Sequence, residues 1–292
     1  TTYRYRVMCK GVLSQENRAR IVYDAGYGID LKRHPTKVTT KAKEYGHLDF
    51  SVVNDMHEHD SLLQVLFKDA KGKYDFVCFN GDMTSSIDST PVIMDNYMRS
   101  ASKLFASDTP LYLVRGNHEY RGNDAIKYLD YYQTPTGKTY YSVSYGKYFF
   151  LFLDSGEDKV MSDVRNLDIM IADSYVEEEA KWLKQVVESD EYKNAAIKIA
   201  FCHMPPGENG WHGNYMVSKH FVPLLNEAGL DLMLCAHNHK YKLVKPGTTN
   251  ANFPILINAN LERLDCHLDD KGISIKIFDT DGTITHSVNF GK

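Results

Sequence analysis

Aspartate, histidine and asparagine recur in this chain at the ends of short apolar runs, where a side chain can leave a buried strand and meet solvent. Asp55-Met56-His57 follows one run, Gly81-Asp82 a second and Gly116-Asn117-His118-Glu119 a third. His203 follows a fourth, and His237-Asn238-His239 a fifth. Five strand ends that deliver these residue types and little else supply what a metal ion needs. Imidazole mixed with carboxylate suits Mn, Fe, Zn, Ni or Co better than Mg or Ca, which prefer oxygen alone. Seven candidate ligands are too many for one four-coordinate ion, but fit two ions about 3.5–4 Å apart that share a carboxylate. The count points to a binuclear centre.

Positioning such residues is the work of the runs before them, because ligands in open α/β sheets gather outside the carboxyl ends of the strands. Leu48–Asn54, Asp75–Asn80, Leu111–Arg115, Tyr148–Leu153, Ala196–Cys202 and Leu230–Cys235 read as buried strands, followed by Pro254–Asn258, Ile273–Phe278 and Thr283–Val288. Helical spacing falls between them at Ser61–Ala70, Val92–Phe105, Ala125–Tyr132, Val176–Glu188 and Met216–Ala228. The alternation predicts an α/β protein. Thr90-Pro91 fits a helix start. The acidic run Glu177–Glu179 reads as a solvated N-terminal turn with a structural role. The last forty residues read as a β meander, with Asp281-Gly282 as its hairpin turn. Residues 1–40 form an N-terminal β segment, expected as the tail of a removed upstream domain, and residues 41–292 the main domain.

Composition excludes several function classes. Hydrophobic residues are 43% and charged ones 25% of the 292, which permits a large core. The net charge of −4 is spread out, and no basic run suits a long nucleic acid. No stretch approaches the roughly 18–20 apolar residues of a membrane helix. The five cysteines (Cys9, Cys78, Cys202, Cys235 and Cys266) form no close pair, and Cys78, Cys202 and Cys235 read as small buried hydrophobes. Thr1 is not an initiator residue, so the expectation is a trimmed start and an extracytoplasmic location.

The ordered set Asp-x-His, Gly-Asp, Gly-Asn-His-Glu, a lone His and His-x-His resembles the calcineurin-like metallophosphoesterase superfamily over roughly residues 48 to 290. That resemblance implies two packed mixed β-sheets flanked by helices, a four-layer αββα sandwich. It implies that Asp55, His57 and His239 hold one metal, that Asn117, His203 and His237 hold the other, and that Asp82 bridges them. His118 would stay off the metals as the catalytic group facing substrate, with Glu119 as a partner that orients it. Two positions depart from the pattern. Ala236 replaces the usual glycine before His-x-His, and Ser85 stands where purple acid phosphatases carry an iron-binding tyrosine.

The resemblance implies two transition-metal ions, divalent or trivalent (Mn, Fe or Zn, identity open), and a water-mediated attack on a phosphomonoester or phosphodiester. The substrate is expected to be a phosphorylated small molecule or a nucleotide; oligomeric state stays open. The segment Met204–Tyr215 reads as a loop over the site, with Trp211, His212 and Tyr215 as candidate substrate contacts. His34, His47, His220, His267 and His286 carry no assignment. His57-Glu58-His59-Asp60 resembles the opening of a metallo-β-lactamase-type motif, but Ser61 and Leu62 break the match. Such a hydrolase, or a non-catalytic scaffold that keeps the phosphoesterase fold for protein binding, is the alternative.

Overall fold

A strand covered on both faces has no polar side to show, and the apolar runs become parallel strands for that reason. The computed structural model describes residues 1–17, 20–28, 36–164, 171–207 and 210–291. Its two large sheets contain β1 (Leu48–Val53), β2 (Phe76–Asn80), β3 (Leu111–Val114), β4 (Tyr141–Tyr145), β5 (Tyr148–Leu153) and β6 (Ile197–Cys202). They continue with β7 (Leu232–Cys235), β8 (Lys242–Val244), β9 (Ile255–Ile257), β10 (Arg263–Asp269), β11 (Gly272–Phe278) and β12 (Ile284–Gly291).

The first sheet has the order β12-β11-β10-β1-β2-β3 and the second β4-β5-β6-β7-β9-β8. In each, the ligand-bearing strands are parallel: β1 with β2 and β2 with β3, then β5 with β6 and β6 with β7. Antiparallel strands close three of the four edges; at one, the meander expected near the C-terminus forms as β10-β11-β12, of which the sequence marks only β11 and β12. Parallel neighbours carry their carboxyl ends to the same side, so the polar residues after them converge.

The sheets pack face to face through aromatic side chains. Phe50 stacks on Phe76 with centroids 4.7 Å apart within the first sheet and Phe152 on Phe201 at 4.9 Å within the second, and Phe50 meets Phe150 edge-on across the interface. Rings this size fill the space between sheets and interlock in the favoured offset and T-shaped geometries. Outside the second sheet lie helices Ala172–Val187, His212–His220 and Val222–Ala228, over Leu151, Ala200 and Met233. Outside the first lie Asp60–Leu66, the helical stretch from Thr90 to Ala106 and Tyr128–Tyr131, over Val53, Val77 and Phe79. This is the four-layer αββα sandwich.

The Glu177–Glu179 run is not a solvated first turn. Its helix begins at Ala172, and Glu179 is fully buried, accepting the Asp154 backbone N–H at 2.9 Å where β5 ends. All five cysteines are free, and Cys78, Cys202 and Cys235 are buried as read. Strands Thr2–Tyr5 and Thr36–Thr39 pair with one another. They meet the residues before β3 through Tyr5 Oη donating to the Ser107 carbonyl at 2.6 Å and Lys37 N–H donating to Asp108. Both acceptors precede β3, at the end of the sheet opposite the ligand-bearing loops. His34 lies outside the described residues.

Candidate metal centre

The loops after β1, β2, β3, β6 and β7 bring together side chains far apart in sequence. His239 Nε2 lies 3.2 Å from Asp55 Oδ1 and 3.4 Å from His57 Nε2. On the other side His203 Nε2 lies 3.1 Å from Asp82 Oδ2 and 3.8 Å from Asp55 Oδ1. Two groups whose ligand atoms lie within 4.8 Å of one another result: Asp55, His57 and His239, and Asp82, His203 and His237. A third joins His57 and Asp82 to His118.

The donor set fits a metal. Asp55 Oδ1, Asn117 Oδ1, His203 Nε2 and His237 Nε2 are buried with no hydrogen-bond partner, although two of these atoms lie close to groups of opposite charge. Stranding polar atoms in the interior costs stability unless something binds them. In Asp55, Asp82 and His203 the other side-chain atom is already used. Asp55 Oδ2 accepts from Asn54 Nδ2 at 2.8 Å and from the His237 N–H at 3.1 Å. Asp82 Oδ1 accepts the His118 N–H at 2.9 Å, and His203 Nδ1 donates to the Asn80 carbonyl at 2.8 Å. Such partners fix which nitrogen or oxygen points inward.

The backbone is bent to the same end. Asp55, His57, Asp82, His237 and His239 all have positive φ, between 43° and 69°, a region that residues with side chains seldom occupy. Two glycines make room. A Cβ on Gly81 would come within 2.4 Å of His203 Nδ1, and one on Gly116 within 2.2 Å of Asp82 Oδ1. Ala236 is buried in place of the usual glycine, and its N–H donates to the His203 carbonyl at 2.8 Å. His203, Asp82 and Asn117 are buried, whereas the His239 side chain is 44% exposed, so the cluster opens to solvent on the His57–His239 side. Cavities of about 690 and 430 Å³ open elsewhere, and none of the seven candidate ligands lines them.

His118 sits on that open side. Its Nδ1 is 2.8 Å from the Ser85 carbonyl, which can only accept, so Nδ1 carries hydrogen and Nε2 is left 4.0 Å from Asp82 Oδ2. Ser85 is held by Glu58, which accepts its N–H at 2.7 Å and its hydroxyl at 3.0 Å. Glu119 does not orient His118 as expected. It accepts the backbone N–H groups of Asp82, Met83 and Gly116 at 2.7–2.9 Å and so shapes the loop that carries Asp82. Burial, and then the neighbouring Asp82 charge, raise its pKa.

Sequence reasoning passed over the loop after β5. Glu157 and Asp158 there accept from Arg121 at 2.9 and 2.8 Å, and Arg121 Nη1 reaches the His118 ring. The signal was present: Asp154–Lys159 is a polar cluster after an apolar run, but lacks His and Asn. Of the loop residues, Trp211 is half-exposed with its ring 6.4 Å from that of His237, and Tyr215 is exposed. His212 instead pairs with Asp173 at 2.8 Å. Residues 208 and 209 of the Met204–Tyr215 loop lie outside the described residues.

Burial opposes charge on His203, but Asp82 and then Asp55 hold its pKa up to about 10 in the metal-free protein. A pKa raised above the unfolded value of about 6.5 gives stability that is complete below pH 6.5 and lost as pH rises through 10. Metal-free protein is therefore expected to lose several degrees of Tm between pH 7 and 10, while protein holding metal, whose ligands are already deprotonated, shows less of this decline. Thermal scans of both forms check it, and a flat Tm in the metal-free form would refute the Asp82–His203 pairing.

Two facing mixed sheets under helices, with Asp, His and Asn gathered where parallel strands end, define a protein built around a candidate metal centre. A profile of the calcineurin-like phosphoesterase family matches residues 48–241, and the chain belongs to that family. No curated protein sequence matches it. Among solved structures it is similar to purple acid phosphatase PPD1 from yellow lupin (Lupinus luteus) seeds, at 12% identity and a TM-score of 0.67, over 93% of this chain and 57% of that one. It is also similar to GAP50, the anchor in the inner membrane complex of Plasmodium, at 12% identity and a TM-score of 0.56, over 85% of this chain and 89% of that one. A structure of PhoD matches at 11% identity and a TM-score of 0.54, over 87% of this chain and 75% of that one. These likenesses concern the fold. The chain spans 57% of the lupin protein's length.

Proposed function

We propose that this chain hydrolyses phosphate esters with a binuclear metal centre, acting on a phosphorylated small molecule or a nucleotide. Asp55, His57 and His239 would hold one ion, Asn117, His203 and His237 the other, and Asp82 would lie between them. The observation that carries the reading is the grouping of Asp55, His57 and His239 beside Asp82, His203 and His237, with buried atoms of Asp55, His203, His237 and Asn117 left without a hydrogen-bond partner. Bound there, two cations would polarise phosphoryl oxygens and lower the pKa of a water toward neutrality. The protein's own part is to fix the ligand atoms through Asn54, Asn80 and Glu119, and to keep one face open. His118, whose Nε2 faces Asp82 and accepts from Arg121 Nη1 on that face, is positioned to stabilise the leaving oxygen, and to protonate it once that donor passes to the substrate. The half-exposed Trp211 ring beside His237 is a wall for an aryl or base leaving group. Trp211→Ala is expected to raise KM for an aryl phosphate about 3- to 10-fold with metal content unchanged, the weight of one stacking contact. Unaltered KM on every ester tried would remove Trp211 from the site.

The test of the whole reading strips the protein with chelator, reloads it with Mn²⁺ and measures an aryl phosphate monoester beside the matching diester. Metal-dependent turnover of either is expected. Turnover of neither, after repeating with Zn²⁺, Fe²⁺ and Co²⁺, would overturn it in favour of a binding role on this fold, such as that described for GAP50.

A further inference from the structure

Arg121 lies outside the ligand set, yet both of its ends are fixed beside the open face. Its backbone is held by Gly122, whose φ is +100° and where a Cβ would come within 2.4 Å of the Ile87 backbone. The Arg121 carbonyl in turn accepts the Ile87 N–H at 2.7 Å. The far end is anchored from the other sheet. Nη2 donates to Glu157 Oε1 at 2.9 Å and to Asp158 Oδ1 at 2.8 Å, both on the loop after β5. Glu157 is 3% exposed, and its second oxygen is buried with no hydrogen-bond partner. Asp158 also pairs with Lys159.

With Nη2 tied down, the planar guanidinium has little freedom to turn, and Nη1 is presented 3.1 Å from His118 Nε2. That ring nitrogen is itself 4.0 Å from Asp82 Oδ2. A donor thus stands at the edge of the space a phosphoryl group must occupy to reach both the ligand cluster and His118. The Arg121 side chain is 30% exposed there, although a purely structural ion pair has no need to face the site.

We propose that Arg121 is a specificity-determining residue, anchored by Glu157 and Asp158, that donates to a non-bridging phosphoryl oxygen beside His118 and favours monoesters over diesters. The inference rests on the hydrolase reading above. A monoester dianion offers a charged terminal oxygen at every non-bridging position, and a charge-assisted bond to guanidinium is about twice as strong as a neutral one. In a diester one of those oxygens carries a second alcohol, which weakens it as an acceptor and fills the space in front of Nη1.

The experiment uses Mn²⁺-reloaded protein, p-nitrophenyl phosphate and the methyl p-nitrophenyl diester, with metal content measured in every sample. Arg121→Gln is expected to lower kcat/KM for the monoester about 100-fold, mostly through KM, and for the diester less than about 10-fold. Arg121→Lys should recover part of the preference, and Glu157→Gln with Asp158→Asn should lose part of it, all with wild-type metal content. Equal losses on both esters, or no loss on either, with metal retained would overturn the proposal. Should Arg121→Gln fail to fold, Arg121→Lys and the double variant decide on the same ratio, and an unchanged ratio in both overturns it. Wild-type protein inactive on both esters is a different failure, since it sinks the hydrolase reading itself.

Discussion

Asp82→Ala is expected to lose metal and activity together. Asp82 is the carboxylate around which the cluster closes, grouping both with His203 and His237 and with His57 and His118. Its backbone is fixed by Glu119, but alanine removes the whole carboxylate, both the inward Oδ2 and the Oδ1 that accepts the His118 N–H. His203, fully buried, loses the group that holds its charge. Removing one partner of a buried pair leaves an uncompensated polar group, which is why the loss should reach the fold as well as the site. Elemental analysis of reloaded protein should show metal content reduced by about half or more. Turnover of an aryl phosphate should fall by about 10³-fold or more, as several kcal/mol of metal-derived charge stabilisation disappears. Asp82→Asn keeps the shape and discriminates between the causes: it should fold and still bind metal poorly. Full metal content with near-normal turnover in Asp82→Asn would remove Asp82 from the centre.

That Asp82 and its companions could be found without coordinates has a physical reason. Strands β1, β2, β5, β6 and β7 are buried along nearly their whole length, so each reads as a mostly apolar run, and the polar residues that follow are conspicuous. Strands of the opposite kind were missed. Tyr141–Tyr145 alternates buried and half-buried positions, Lys242–Val244 has three residues, and Arg263–Asp269 interleaves charges with its buried Leu264, Cys266 and Leu268. The stretch from Thr90 to Ala106 contains two π-helical segments, Met94–Met98 and Ser102–Ala106, which a search for a 3.6-residue period does not describe.

The supporting residues are harder still, because their partners are remote. Asn54 reaches Asn258, Asn80 reaches the Leu234 carbonyl across the two sheets, and Glu58 reaches Ser85. Nothing in the local sequence announces such pairs. Glu119 shows the limit of reading neighbours as partners: adjacent to His118 in sequence, it turns the other way and binds the Asp82 loop.

His118→Ala is expected to separate what Asp82→Ala destroys together. Turnover should fall by about 10²–10⁴-fold, the usual weight of general acid–base catalysis, while metal content stays at the wild-type level. The geometry makes metal content the informative readout, since His118 lies within ligand distance of His57 and Asp82. Loss of metal would make it a ligand instead. Its backbone N–H, which supports Asp82, survives the substitution, so the cluster should keep its shape. A proton to the leaving oxygen must come from Nε2, because Nδ1 is committed to Ser85, and Nε2 can carry it once Arg121 Nη1, 3.1 Å away, has passed to the substrate. Proton delivery matters most when the departing oxygen is basic. The loss should therefore be several-fold larger for an alkyl phosphate than for p-nitrophenyl phosphate, whose leaving group departs with little help. Equal losses on both would mean that His118 positions the phosphoryl group without giving a proton to the leaving oxygen.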